Sequence, residues 1–300
     1  MSDPLLRFED GKISIGGKDL FASSANLSLA PTLEAGRVYG DYDPAIAGAR
    51  TQFVNFLPIN NLKGQLDVSF YISAEQFAVD GNPNNIERIF DIAGGMSEAP
   101  INNNIVGRYG FDNMYLKSFS FDMKPFGIIQ ANASYDIYGS VTKVIDRRFE
   151  KSEIDFAHGL KSFGNVVASA GNQDQFEIAS LKYTIIVGRK THNHIRANED
   201  TSINTTPHGA IPVRVSIENI EKEMVLGASE FVDNLNSYGD QQYVSSPESL
   251  NDTKIEAFLL SLQGQRIARF SVSGKIHSES MSIQEGQYAK GSITVREIVK

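Results

Sequence analysis

The stretch His277–Val299, HSESMSIQEGQYAKGSITVREIV, decides how the 300-residue chain reads. Two alternating segments flank the short polar connection QEGQYAK, the pattern of paired strands joined by a turn. Nothing in it resembles a catalytic motif. Moved back by 162 positions, it falls on Tyr115–Ile137, YLKSFSFDMKPFGIIQANASYDI. Only Ser280 on Ser118 and Ser282 on Ser120 are identical. The phase agrees further: Met281 and Ile283 meet Phe119 and Phe121, Tyr288 meets Phe126, and Ile293 and Val295 meet Ala131 and Ala133.

Other segments echo in the same order. ANLSL (Ala25–Leu29) is similar to ASLKY (Ala179–Tyr183), 154 positions on, and DVSFY (Asp67–Tyr71) to RVSIE (Arg214–Glu218), 147 on. The order favours a duplicated chain with one β domain over 1–148 and a second over 149–300, the changing offset being absorbed by loops. Strands also resemble one another by chance, and the sequence leaves that alternative open.

Period-two alternation dominates. Leu66, Val68, Phe70 and Ile72 share one face of QLDVSFYI; Val213, Val215 and Ile217 alternate with Arg214, Ser216 and Glu218. Leu181, Tyr183, Ile185 and Val187 line one side of SLKYTIIV, and Ala268, Phe270 and Val272 one side of ARFSVSG. Such strands present one face to a core and one to water or a neighbour. Two short helices are expected as flanking elements. One runs through NIEKEMVLGASEFVDNLN, with Met224, Ala228, Phe231 and Leu235 as its stripe and Asn219 as N-cap. The other follows Pro83, with Ile86, Ile89 and Phe90 together. DTKIEAFLLSLQ fits helix or strand, and residues 94–113 read as a loop. Ala30–Pro58 and Gly188–Ala210 read as long loops at matching places in the two halves, a length that usually serves a function.

Composition narrows the function. With 41% apolar and 21% charged residues, the chain is that of a soluble globular protein. Its first residues, MSDPLLRFEDG, are too polar for a secretory signal, and no apolar run suggests a membrane span. The absence of cysteine removes disulfides, thiolate metal sites and cysteine nucleophiles. A net charge of −8 argues against non-specific attachment to DNA.

The remaining candidates for chemistry are thin. His192 and His194 alternate in THNHIR, with His208 nearby, yet no carboxylate stands at ligand spacing, so a solvated loop is the better reading. There is no nucleophile elbow, phosphate-binding loop or dinucleotide fingerprint. Gly16-Gly17 and Gly94-Gly95 read as turns. Glu221 and Glu223, two apart on an expected helix, would face apart and make a poor acid–base pair. The clusters at Gly188–Lys190 and Asp146–Arg148 suit inter-subunit ion pairs as well as phosphate. No enzyme, cofactor or metal is expected.

The closing unit RFSVSGKIHSESMSIQEGQYAKGSITVREI, the opening GGKDLFASSANLSLAPTLEAGRVYG and the segment SLKYTIIVGRKTHNH together resemble bacteriophage tail tube proteins over most of the chain. The resemblance implies a mainly β fold: two tandem β-sandwich or barrel domains, each with a flanking helix and a long inter-subunit loop. It implies a virion protein, assembled in the host cytoplasm, that self-associates head to tail into stacked rings. Those rings form a conduit for DNA and the tape-measure protein, with a sheath as a further partner and no membrane. Three duplicated chains would then make a pseudo-hexameric ring. The inter-subunit arms would be Thr32–Arg50, with Arg37, Tyr39, Tyr42 and Arg50, and Lys190–Thr206, with Lys190, His192, His194 and Arg196 beside Arg189. A neck, tail-completion or baseplate ring component shares this pattern. A glycan-binding β-sandwich would instead use exposed loop aromatics such as Tyr39, Tyr42 and Phe53.

Overall fold

The computed structural model describes residues 13–30, 33–39, 52–58, 63–71, 97–124, 130–138, 141–143, 165–170, 173–175, 178–193, 213–228, 253–260, 266–285 and 290–299. The regular structure among them is entirely β. In chain order the strands are β1 (Ile13–Ile15), β2 (Lys18–Asp19), β3 (Phe21–Ala30), β4 (Leu33–Tyr39), β5 (Gln52–Pro58), β6 (Lys63–Tyr71), β7 (Asn104–Val106), β8 (Tyr109–Phe111) and β9 (Met114–Met123). They continue with β10 (Gln130–Tyr138), β11 (Val141–Lys143), β12 (Asn165–Ala170), β13 (Gln173–Gln175), β14 (Ile178–Asn193), β15 (Val213–Ala228), β16 (Thr253–Leu260), β17 (Arg266–Ser282) and β18 (Lys290–Val299).

Eleven of these strands join in the order β13-β12-β16-β17-β18-β15-β14-β9-β10-β6-β3. The alternation read from the sequence sets which face is buried. Leu66, Val68 and Phe70, then Leu181, Tyr183, Ile185 and Val187, and Phe270 and Val272 are all core. Two further pieces cover that apolar face. The five-stranded sheet β11-β8-β7-β1-β2 brings Ile13, Ile15 and Phe111 into the same hydrophobic cluster. The β16–β17 ribbon lays Phe270 edge-on against Phe121 and Tyr183, with ring centroids 5.5 and 5.4 Å away. Beyond Gly274, β17 leaves β16 and pairs with β18 instead, so a single strand turns the corner between the two layers.

The helix expected from Asn219 onward is strand as far as Ala228. Met224 and Leu226 are buried together while Glu223 and Val225 are not, which is period two; the i, i+4 stripe was a coincidence of apolar spacing. The rest of that segment, and the helix expected after Pro83, lie outside the described residues. DTKIEAFLLSLQ forms β16 up to Leu260. The expected loop at 94–113 contains β7 and β8, held by Asn104, whose buried amide donates to the Ile101 and Phe111 carbonyls and accepts from the Gly16 N–H. Gly16-Gly17 is a turn, as expected: both residues have positive φ, and they join β1 to β2 as a two-residue hairpin loop.

Within the long sheet, two runs of four strands pair in the same order, β9-β10-β6-β3 and β17-β18-β15-β14. Ser118 faces Ser134 and Leu116 faces Tyr135, so Lys117 is an extra, bulged residue. Ser278 faces Thr294 and Ile276 faces Val295, so His277 is the extra residue, 160 positions later. In β3, Ala22 faces Phe70 and Ser24 faces Ser69, leaving Ser23 over. In β14, Ile178 faces Ala228 and Ser180 faces Gly227, leaving Ala179 over, 156 positions later. Between them, Val68 of β6 matches Leu226 of β15, 158 on. Shared order, register and bulge positions are far more specific than shared alternation.

Candidate functional site

The surface that the fold leaves open is the second face of the long sheet. Register partners share a face, so its rows can be followed from strand to strand. One row runs Asn26, Asp67, Ser134, Ser118, Ile186, Glu221, Ile298. The next runs Ser24, Ser69, Asn132, Ser120, Thr184, Glu223, Arg296. Short hydroxyl and amide side chains dominate both rows on the first-half strands. They bond sideways: Ser134 Oγ donates to Asp67 Oδ1 at 2.6 Å, Gln65 Nε2 donates to the same carboxylate, and Ser69 Oγ donates to Asn132 Oδ1. The result is a shallow groove of about 270 Å³ lined by Ser24, Asn26, Asp67, Ser118, Ser120 and Asn132 among others.

Glu221 and Glu223, expected on opposite sides of a helix, sit two apart on a strand and so share a face. Both reach Arg296, whose Nε lies 2.5 Å from Glu223 Oε2 and 3.6 Å from Glu221 Oε1. This is an ion-pair cluster, with one guanidinium within reach of both carboxylates.

The two halves meet where β14 pairs with β9, from Leu181 opposite Met123 to Ile186 opposite Ser118. Arg189 closes that seam. Its Nε donates to the Leu116 carbonyl at 2.8 Å, its Nη1 donates to the Ser97 carbonyl at 2.9 Å, and its guanidinium lies 5.4 Å from the Tyr115 ring centroid. Glu98, next to Ser97, accepts from the Ile217 N–H. Burial pulls the Arg189 pKa down, against the pull of Tyr115 and Glu98, while burial raises that of Tyr115 against the lowering effect of Arg189. Tyr138, packed edge-to-face on Tyr115, is pushed up to about 12 by burial and by Asp136.

Sequence reasoning put Arg189, Lys190 and His192 at the start of a loop. They are instead in β14, opposite Ile217, Ser216 and Arg214, and the strand continues to Asn193. The apolar alternation of β14 ends at Val187 and the strand runs on through polar residues, past a bulge whose extra residue is Glu218 of β15, so a period-two reading stopped short of its end. Arg189 turns inward onto its own chain. Lys190 lies 3.9 Å from Glu218, both exposed, and His192 is exposed beside Ser216. The first arm also departs from a loop: Arg37 and Tyr39 lie in β4, which pairs with β5 as a separate two-stranded hairpin. Tyr42, Arg50, His194, Arg196 and His208 lie outside the described residues. The seam role of Arg189 and the pairing of Glu221 and Glu223 with Arg296 were invisible to sequence spacing, since both depend on which strands become neighbours. A scan against protein-family models finds no match, and neither does a search of curated proteins.

Proposed function

We propose that this chain is a structural subunit of a bacteriophage tail tube, assembling with copies of itself into stacked rings around a channel for DNA. The observation that carries the reading is the repeated four-stranded unit. Two such units stand side by side in one sheet, with the apolar face covered by the five-stranded sheet and the β16–β17 ribbon and the polar face bare among the described residues. This supports a duplicated tube-like domain, with three chains completing a six-unit ring.

The bare face suits a channel lining. It carries serines, threonine and asparagine, with carboxylates Asp67, Asp122 and Glu223 interleaved with Lys182 and Arg296. Such a surface has no cationic track to grip phosphates, so DNA can pass without specific contacts. The tape-measure protein would occupy the same channel before ejection. The β4–β5 hairpin and the segment after Asn193 would act as arms between rings, in contact with neighbouring copies or a sheath.

Negative-stain electron microscopy of the concentrated protein tests this. Long hollow tubes whose rings resolve to three chains are expected. Rings that never stack would shift the assignment to a neck or tail-completion component. Six chains per ring would overturn the duplication, and monomers under all conditions would overturn the assembly reading. Deleting residues 40–51 should abolish stacking; unchanged tubes would remove the arm role.

A further inference from the structure

We infer that a second copy of this chain docks by strand pairing, Ala25–Ala30 of β3 in one copy against Ser278–Ile283, the end of β17 and the residue after it, in the next. The inference deepens the assembly reading above and rests on it only for closure into a ring.

The internal seam is the template. The first unit presents β9 at one side and β3 at the other; the second presents β17 and β14 at the matching sides. Inside the chain, the β14 side of the second unit is joined to the β9 side of the first. The two sides left over are β3, which matches β14, and the end of β17, which matches β9. Among the described residues, β3 pairs only with β6, and β17 from Ser278 to Ser282 pairs only with β18. A chain whose two free edges are equivalent to its own internal seam is built for head-to-tail addition.

Exposure agrees. At the internal seam Phe121 and Met123 are 0% and 1% exposed, and Ile185 is 1% exposed. Their counterparts Met281, Ile283 and Leu29 are 49%, 69% and 40% exposed. Carrying the Leu181–Met123 to Ile186–Ser118 register across predicts the new pairs Ala25–Ile283, Leu27–Met281, Ser28–Ser280 and Ala30–Ser278. Leu27 then meets Met281 as Tyr183 meets Phe121. The clearest departure is position 279, a glutamate where the first unit has Phe119; a charge on an edge strand discourages indiscriminate pairing before the right partner arrives.

The chain has no cysteine, so introduced thiols report without background. Ser28→Cys and Ser280→Cys are both on exposed positions of the polar face and leave the core intact. Mixed under mild oxidation, these two variants should form a disulfide-linked heterodimer, while each alone stays uncrosslinked. The double variant should give a covalent ladder. Ser120→Cys/Thr184→Cys, the equivalent pair within one chain, benchmarks the geometry. Ser28→Cys with Ser282→Cys, two residues out of register, should link about ten-fold less, because diagonal neighbours stand too far apart for an unstrained disulfide. Preferential linkage of Ser28 to position 282 or to another Ser28, or no linkage at any concentration while the benchmark forms, would overturn the inference. Tubes without the Ser28–Ser280 link would sink this edge and leave the tube reading standing. The link in oligomers that form neither rings nor tubes would do the reverse.

Discussion

Arg189 Nε and the carbonyl oxygen of Leu116 stand 2.8 Å apart across the seam between β14 and β9, just beyond the last strand pair, Ile186 opposite Ser118. The contact falls beside the Lys117 bulge, past the end of the β14–β9 ladder. One guanidinium thus seals the end of a ladder and ties Ser97 to it. Lysine has a single charged nitrogen and cannot bond both carbonyls in the same fork. Arg189→Lys should therefore lose about 1–2 kcal/mol and Arg189→Ala about 2–3 kcal/mol of unfolding free energy, read by urea denaturation. An unchanged midpoint for Arg189→Ala would remove Arg189 from the seam.

Phe270 joins the covering ribbon to the seam from the opposite side, packed on Phe121 and Tyr183 at once. Phe270→Ala should cost about 3–5 kcal/mol, while Phe270→Leu, which keeps most of the volume, should cost less than half of that. Thermal unfolding followed by circular dichroism would show both. Equal effects would mean the ring itself, rather than the filled space, holds the layers together.

Gly274 is where β17 passes from β16 to β18. A Cβ there would collide with the carbonyl oxygen of Arg296, which is backbone and cannot swing aside. Gly274→Ala should destabilise by about 2–3 kcal/mol through forced separation of β17 and β18. Hydrogen exchange should then rise in β18, and exchange rates matching the parent would contradict the close approach.

Tyr135 is fully buried, and its hydroxyl has no hydrogen-bond partner among the described residues. Tyr135→Phe should stabilise the protein by about 1 kcal/mol, since an unsatisfied buried donor is removed without loss of volume. Burial also raises its pKa far above the ordinary value near 10, as it raises that of Tyr183, and Tyr138 is raised to about 12. Raised pKa values mean the folded chain keeps protons that the unfolded chain releases, so stability is intact below pH 10 and declines as pH climbs through 12. Tyr135→Phe should make that alkaline decline shallower, as tyrosinate absorbance against pH would show; a steeper decline would contradict the burial.

Arg296 separates Glu221 and Glu223 on the open face. Arg296→Gln leaves two carboxylates on one strand face with no cation between them. The expected loss is small, about 1 kcal/mol at low salt, because these side chains are partly exposed, and added salt should shrink it. A loss independent of salt would assign the effect to packing.

The mainly β character and the buried face of β6, β14 and the start of β17 were legible in the sequence, because alternation depends only on neighbours along the chain. The echo between Tyr115–Ile137 and His277–Val299 was also legible, but its register was not. The sequence alignment used an offset of 162 where the strand pairing sets 160, and 154 where it sets 156. An error of two keeps every side chain on its own face, so the hydrophobic pattern cannot detect it. The 147 offset erred by eleven, an odd step that should exchange faces, and the extra residue Glu218 at the β15 bulge masked it. Reading β15 as a helix failed for a related reason: Met224, Leu226 and their neighbours alternate, but Ala228 and Phe231 also fit a helical spacing, and local composition does not choose between them.

By itself, then, the sequence determined what each strand needs: one apolar face to bury and one polar face to leave open. Tertiary structure alone decided which strands became neighbours. That choice set Arg189 at the seam, Arg296 between two glutamates, and, among the described residues, the outer edges of β3 and of the end of β17 as images of the internal joint. The physical reason is that edge pairing is carried by backbone groups, which every residue other than proline supplies alike, so only the folded arrangement reveals which edges are spent and which remain.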